Sequence, residues 1–390
     1  MKIWRLAVLG LLAFSGLAPA TTLLEAPLPA TSAPPSASQA PIALLADLSS
    51  GQILFARDAD KRFLPASMTK AMTALVAFDL IAAGKLDEQA VVKVSDDTAR
   101  RWAGKGTTLN LQPGEAVKVG DLLMGTTTVS ANDAAVALAE AAAGSTDSFV
   151  ALMNARAQGL GMTGSHFATP NGFPDHGRTY VTANDLVRLA TALIKQHPAL
   201  YAHYFGKKAM VWRGAQLTSH DPFAGVLPGA DGIKTGHSFE AGFNFLGAVD
   251  RGGRRLVVVI GGARTEPGRA SAAKAMAEWG YSAWRSVSFL PMGTIVGEAR
   301  VQGGNQRKVA LIVPRAFTLA FPLDQIPKVS GKIVYQGPLK APFEGGTPVG
   351  WLEVLIEGQP VHSLPLVVGE TISPAGPIDR IINALLELVS

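Results

Sequence analysis

The chain has 390 residues, 48% of them apolar and none a cysteine, with 35 Lys and Arg against 30 Asp and Glu. That length and apolar content exclude a disordered chain and leave room for two or three domains, while the lack of cysteine excludes thiol nucleophiles, thiolate metal sites and disulfides. A net charge of +5 without any concentrated Lys/Arg run does not describe a nucleic-acid groove, and the seven histidines show no metal-ligand spacing, so neither nucleic acid nor a metal is expected.

The first 20 residues, "MKIWRLAVLGLLAFSGLAPA", place Lys2 and Arg5 before an apolar stretch from Leu6 to Leu17 and then Ala18-Pro19-Ala20. This is the pattern of a secretory signal peptide cut after Ala20, and its apolar core is shorter than the roughly 20 residues of a membrane span. Export is therefore expected, to the periplasm or the outer face of the cytoplasmic membrane. Residues 21–40, rich in Pro, Ala, Ser and Thr, read as a tether.

"PIALLADLSSGQILFARDAD" gives two apolar runs around Ser49-Ser50-Gly51, a hairpin. From Ser67 to about Ala83, Met68, Met72, Leu75, Val76 and Leu80 recur near helical spacing. Further helices are expected near 132–143, 146–158 and 183–196. Strands follow in "GIKTGHS", "AGFNFLGAVD" and "RRLVVVIGGA", the last two joined by a tight turn at Arg251-Gly252-Gly253, and a helix near 267–283 closes the unit. Strands at both ends of a helical middle predict an α/β (α+β) domain over 41–287. Its mixed sheet is assembled from N- and C-terminal pieces, with helices packed on it and a helical insertion beside it. A site is expected where insertion meets sheet.

Residues 288–372 turn to short strands punctuated by Gly and Pro, which predicts a small all-β domain. In the last segment, 374–390, Ile378, Ile381, Ile382, Leu385 and Val389 share one helical face, giving an amphipathic helix. Its Asp379, Arg380 and Glu387 sum to −1 rather than forming a basic face, which leaves peripheral membrane contact and docking on protein both open.

Chemistry enters at "LPASMTKAM", where Lys70 follows Ser67 by three residues and so shares its helical face. A lysine kept neutral by burial or by a neighbouring cation can deprotonate a serine hydroxyl, and a helix N-terminus can stabilise the oxyanion that results. Ser271 and Lys274 repeat the spacing, but inside a helical pattern, whereas Pro65 makes a helix start plausible at Ser67. Two further motifs follow in order: Ser130-Ala131-Asn132 just before a helix, and Lys234-Thr235-Gly236 on a strand. S-x-x-K, an S-x-N motif and K-T-G together are the set of the penicillin-binding proteins and β-lactamases.

On these motifs, and on "TPNGFPDHGRTYVTANDLVRLA" and "DGIKTGHSFEAGFNFLGAV", the chain from about Pro41 onward resembles the D-alanyl-D-alanine carboxypeptidase family of low-molecular-mass penicillin-binding proteins. The resemblance implies a β-lactamase/transpeptidase-like catalytic fold, a carboxy-terminal β domain, a terminal helix used as a peripheral anchor, and no cofactor. It implies that Ser67 attacks the bond between the two terminal D-alanines of the peptidoglycan stem peptide, that Lys70 takes its proton, and that β-lactams acylate the same serine. Ser130 and Lys234 would relay a proton to the leaving amine, Asn132 would bind the peptide, and the Ser67 and His237 N–H groups would form the oxyanion hole. Thr235 and Gly236 would border the substrate, and Thr235 with Arg269 would bind its free carboxylate. Where the family often shows Asn-Arg-Asn this sequence has Ser219-His220-Asp221, so the carboxylate pocket is expected to be built differently, with His220 a candidate there.

Three alternatives stay open in principle. A D,D-endopeptidase would use the same site. A class A β-lactamase would need a deacylating glutamate between the second and third motifs, where only Glu140 occurs, inside a predicted helix. A non-catalytic wall scaffold would have no need of Lys70.

Overall fold

The structure, a computed structural model, describes residues 40–377 together with the backbone of Leu6–Val8 and Leu24–Glu25. The chain divides into two compact units, one running through Ala283 and the other beginning at Trp284.

The first unit is built on an antiparallel sheet of β1 (Ile42–Asp47), β2 (Gln52–Arg57), β3 (Ala230–Ser238), β4 (Gly242–Arg251) and β5 (Arg254–Ala263), in the order β2-β1-β5-β4-β3. Leu24–Glu25 adds a short parallel pairing beside β2, so the sheet is mixed. The first and last parts of the unit meet where Leu45 of β1 pairs with Val258 of β5, the union of distant pieces that the sequence predicts. Gly252 and Gly253, with φ of +61° and +81°, make the two-residue turn between β4 and β5, a conformation that non-glycine residues adopt only at a cost.

β1 is buried along its whole length and β5 along most of it, so successive side chains serve two layers. Ile42, Leu44 and Ala46 join the larger core with α1 (Thr69–Ala82) and α6 (Ala183–Gln196). Leu45 instead meets α8 (Glu266–Ala283), where Gly280 lets the helix approach so closely that a Cβ would lie 2.8 Å from a Leu45 methyl.

Helix α1 is buried on every face from Thr69 to Phe78, as expected of a helix enclosed by the core rather than lying on it. The insertion around it comprises α2 (Asp96–Trp102), α3 (Val119–Thr127), α4 (Asn132–Ala143) and α5 (Thr146–Gly159), and the short α7 (Pro198–Tyr204) follows α6. Ser95, Ser145 and Thr182 cap α2, α5 and α6 by accepting a backbone N–H three residues on. The alanines of α4 are mostly buried and permit close helix packing.

The second unit is all β. Strands Ile295–Gln302, Lys308–Ile312, Val329–Tyr335, Pro348–Ile356 and Gln359–Val368 form one sheet, and Trp284–Leu290 pairs with Phe317–Pro322. Alternate residues such as Leu352, Val354, Leu364 and Leu366 face its separate core. Leu6–Val8 pairs in parallel with Gly331–Ile333. The remainder of the expected leader, most of the tether, and the terminal helix beyond residue 377 lie outside the described residues.

Candidate active site

Pro65 and Ala66 set the nucleophile. Ala66 takes a left-handed φ of +48°, a short 3-10 turn covers Ala66–Met68, and the α-helix begins at Thr69. The helical spacing predicts a start at Ser67; in the structure Ser67 and Met68 belong to this 3-10 turn, closed by the Met68 N–H on the Pro65 carbonyl at 3.2 Å, and the regular helix follows it. The turn leaves Ser67 partly exposed while its neighbours on both sides are buried.

One turn on, Lys70 is completely buried. Its Nζ lies 2.8 Å from Ser67 Oγ, 2.8 Å from Asn132 Oδ1 and 2.7 Å from the Asn171 carbonyl oxygen. Burial, and next the positive charge of Lys234, push its pKa well below the ordinary lysine value, against a smaller opposite pull from Asp133. Two of the three partners are carbonyl oxygens, which only accept. A neutral Lys70 therefore spends its two N–H groups on Asn132 and Asn171 and turns its lone pair to the Ser67 hydroxyl.

Ser130 and Asn132 reach this point from the bend between α3 and α4. Ser130 also holds a left-handed φ, +67°, a strained value for a serine and one that recurs at functional sites. Asn132 donates to the Lys105 carbonyl at 2.8 Å while accepting from Lys70, so its amide orientation is fixed from both ends. The buried Asp133 carboxylate accepts the N–H groups of Leu109 and Leu111 at 2.9 and 3.0 Å, tying the neighbouring loop to the start of α4.

The third motif lies on β3. Lys234 and Thr235 are buried, and a Cβ on Gly236 would overlap the Pro65 carbonyl oxygen, so glycine is what lets this strand press against the nucleophile turn. Across the ladder, Asn244 of β4 pairs in register with Gly236. Its fully buried side chain donates to the Leu64 carbonyl at 3.0 Å and accepts the Gly262 N–H at 2.7 Å. His237, at the outer end of the motif, stacks on Phe243 with centroids 3.9 Å apart.

These elements enclose a cleft of about 460 Å³ lined by Ser67, Ser130, Asn132, Thr235, Gly236, His237, His220 and Arg269, among others. On one side Phe173 meets Trp102 edge to face at 5.2 Å. At the other end Arg269 is buried and donates to Glu266 at 2.9 Å, and burial lowers its pKa. Burial brings Lys234 down to about 7; the Arg269 charge adds to this and that of Asp221 opposes it. Burial also raises the Asp221 carboxyl, against the pull of the Phe223 N–H and of the Lys234 and Arg269 charges. His220 is exposed on the cleft wall.

All the residues named from the sequence thus fall in or beside one cleft, whereas Ser271 and Lys274 are exposed on α8. Glu140 accepts from Ser95 and Thr98 at 2.9 and 2.7 Å, which ties it to the start of α2 rather than to the cleft. Sequence reasoning missed Asn171, Asn244 and Glu266, and named Asp221 only within Ser219-His220-Asp221, without a role of its own. Asn171 sits in "TPNGFPDHG", part of a stretch that carries the resemblance, but it serves Lys70 through its backbone carbonyl, which no side-chain motif marks. Among the described residues no group of His, Asp or Glu converges as a metal site.

A family profile described as D-alanyl-D-alanine carboxypeptidase matches residues 29–265, and one described as the C-terminal domain of penicillin-binding protein 5 matches residues 284–373. The chain belongs to the D-alanyl-D-alanine carboxypeptidase family. D-alanyl-D-alanine carboxypeptidase DacD of Salmonella typhimurium is 33% identical over 355 residues, 89% of this chain and 90% of the relative. Penicillin-binding protein 5 of Haemophilus influenzae superposes with a TM-score of 0.80 at 28% identity, covering 88% of this chain and 99% of that one. Penicillin-binding protein D2 of Listeria monocytogenes, solved in its cefotaxime-bound form, covers 62% of this chain and 97% of its own at 29% identity and a TM-score of 0.57. The fold is accordingly that of a penicillin-binding protein, an α/β catalytic domain followed by an all-β domain, and the serine mechanism is the family's.

Proposed function

We propose that this member of the family removes the terminal D-alanine from peptidoglycan stem pentapeptides through an acyl-enzyme on Ser67. The observation that carries the reading is the buried Lys70, whose Nζ stands 2.8 Å from Ser67 Oγ with carbonyl oxygens as its other two partners.

In this mechanism neutral Lys70 takes the hydroxyl proton as Ser67 Oγ attacks the carbonyl of the penultimate D-alanine. The oxyanion is held by the N–H groups of Ser67 and His237. As the C–N bond breaks, Ser130 and Lys234 pass a proton to the departing amine, and free D-alanine leaves. Water then attacks the ester, and Ser67 regains its proton. Thr235 and the buried guanidinium of Arg269 bind the terminal carboxylate, which distinguishes a chain end from an internal bond. β-Lactams enter by the same attack and remain as esters. Glu140, the glutamate between the second and third motifs, is held by Ser95 and Thr98 at the start of α2, so it does not serve as a class A deacylating base.

The reading extends to the rest of the chain. Residues 1–20 direct export, 21–40 tether the catalytic domain, which ends at Ala283, and the β domain begins at Trp284. By its sequence pattern the segment 374–390 is the candidate for peripheral contact with the outer face of the cytoplasmic membrane. The purified protein, given a pentapeptide stem and a cross-linked muropeptide, is expected to release free D-alanine from the first faster than monomer from the second. The reverse order would make it an endopeptidase.

A further inference from the structure

The end of the cleft that reads the carboxylate carries two cations, Lys234 and Arg269, and two acids, Asp221 and Glu266, whose charges act on one another. Asp221 is half-buried; the Glu266 side chain is 57% exposed and lines the cleft, while that of its partner Arg269 is 4% exposed. Glu266 Oε1 accepts from Arg269 Nη2 at 2.9 Å, and Arg269 Nε is buried with no hydrogen-bond partner.

We propose that Glu266 is a specificity-determining residue, a resident carboxylate that holds Arg269 in the free enzyme and competes with the substrate's terminal carboxylate for it. The inference rests on the reading of Arg269 as the residue that binds the chain end. Arg269 is locked in place by burial, so it cannot follow a ligand. Glu266 can, since its carboxylate exchanges one hydrogen bond for water on turning outward. An arriving peptide carboxylate either shares the guanidinium with a like charge or displaces it, and both weaken binding. The same competition acts on free D-alanine, so the pair also limits retention of the product. Glu266 occupies the first turn of α8, where an acid stabilises the helix N-terminus, so loss of stability alone would not identify the role.

The test compares wild type, Glu266→Gln, Glu266→Asp and Arg269→Gln on a peptide ending in D-Ala-D-Ala with a free carboxylate and on the same peptide ending in an amide. Active enzyme is counted by stoichiometric penicillin labelling. Glu266→Gln is expected to lower KM for the free acid about 3- to 10-fold, to leave kcat and the amide substrate unchanged, and to strengthen inhibition by D-alanine. Glu266→Asp keeps the charge and is expected to stay near wild type. An unchanged or raised KM for the acid in Glu266→Gln, or an equal change on both substrates, overturns the proposal. If Arg269→Gln keeps the wild-type ratio of acid to amide activity, the reading of Arg269 itself falls, and the two failures are told apart.

Discussion

Asn132 Oδ1 accepts a hydrogen bond from Lys70 Nζ at 2.8 Å, and the same side chain donates to the Lys105 carbonyl at 2.8 Å, so one amide fixes the general base from the second motif. A carboxylate at that point would attract the lysine proton. Asn132→Asp is expected to raise the Lys70 pKa and to slow penicillin acylation about 100-fold at neutral pH, with partial recovery as pH rises. Stopped-flow acylation with a fluorescent penicillin across pH measures this. Equal loss at every pH would contradict it.

Lys234 contributes to the low pKa of Lys70 through its charge. Removing that charge in Lys234→Gln is expected to move the acidic limb of the acylation rate to higher pH, in addition to any fall in its plateau. The pH profile of single-turnover acylation separates the two effects.

Lys234 itself, buried, titrates at about 7 where an ordinary lysine titrates at 10.5. Between those values the unfolded chain holds a proton that the folded chain has lost, so this group makes stability rise with pH across the window. Below pH 7 both states are protonated and the full cost of the buried charge is present. The melting temperature of Lys234→Met relative to wild type is therefore expected to be highest near pH 6 and to decline toward pH 10, as followed by circular dichroism. A difference independent of pH would count against the buried titration.

Gly236 has no room for a side chain, because a Cβ would overlap the Pro65 carbonyl oxygen at the base of the nucleophile turn. Gly236→Ala is expected to cost about 1–3 kcal/mol and to displace the turn, abolishing acylation. Asn244→Ala leaves the Leu64 carbonyl and the Gly262 N–H without their buried partner, at about 1–3 kcal/mol. Urea denaturation of both variants gives the energies. Wild-type acylation in Gly236→Ala would show that the strand and turn are not mutually fitted.

Much of this fold is legible because its signals are local. The glycine pair after Arg251 demands its turn, the apolar run of β5 reads as a strand, and the helices expected near 132–143, 146–158 and 183–196 match α4, α5 and α6, whereas α2 and α3 are not among those expected. The Ser67, Ser130 and Lys234 motifs are legible because each chemistry needs particular side chains. Asn171 is not, since it serves Lys70 through a backbone carbonyl that any residue could supply. Asn244 reads as an ordinary strand polar residue until the fold brings Leu64 beside it. Asp221 and Glu266 lie far apart in the chain, on a loop and on a helix, and only tertiary structure places their charges around Lys234 and Arg269. Helix α1 starts late because a 3-10 turn occupies Ala66–Met68, which the apolar spacing from Met68 onward does not distinguish from an α-helix.

The central claim is that Ser67 is the acylated residue and Lys70 its base. Intact-mass analysis after incubation with penicillin, followed by peptide mapping, tests it most directly. Wild type should gain one penicilloyl group located on Ser67, Lys70→Met should label at least about 100-fold more slowly, and Ser67→Ala should stay unmodified. An unmodified wild type, or an adduct that persists in Ser67→Ala, would contradict the account.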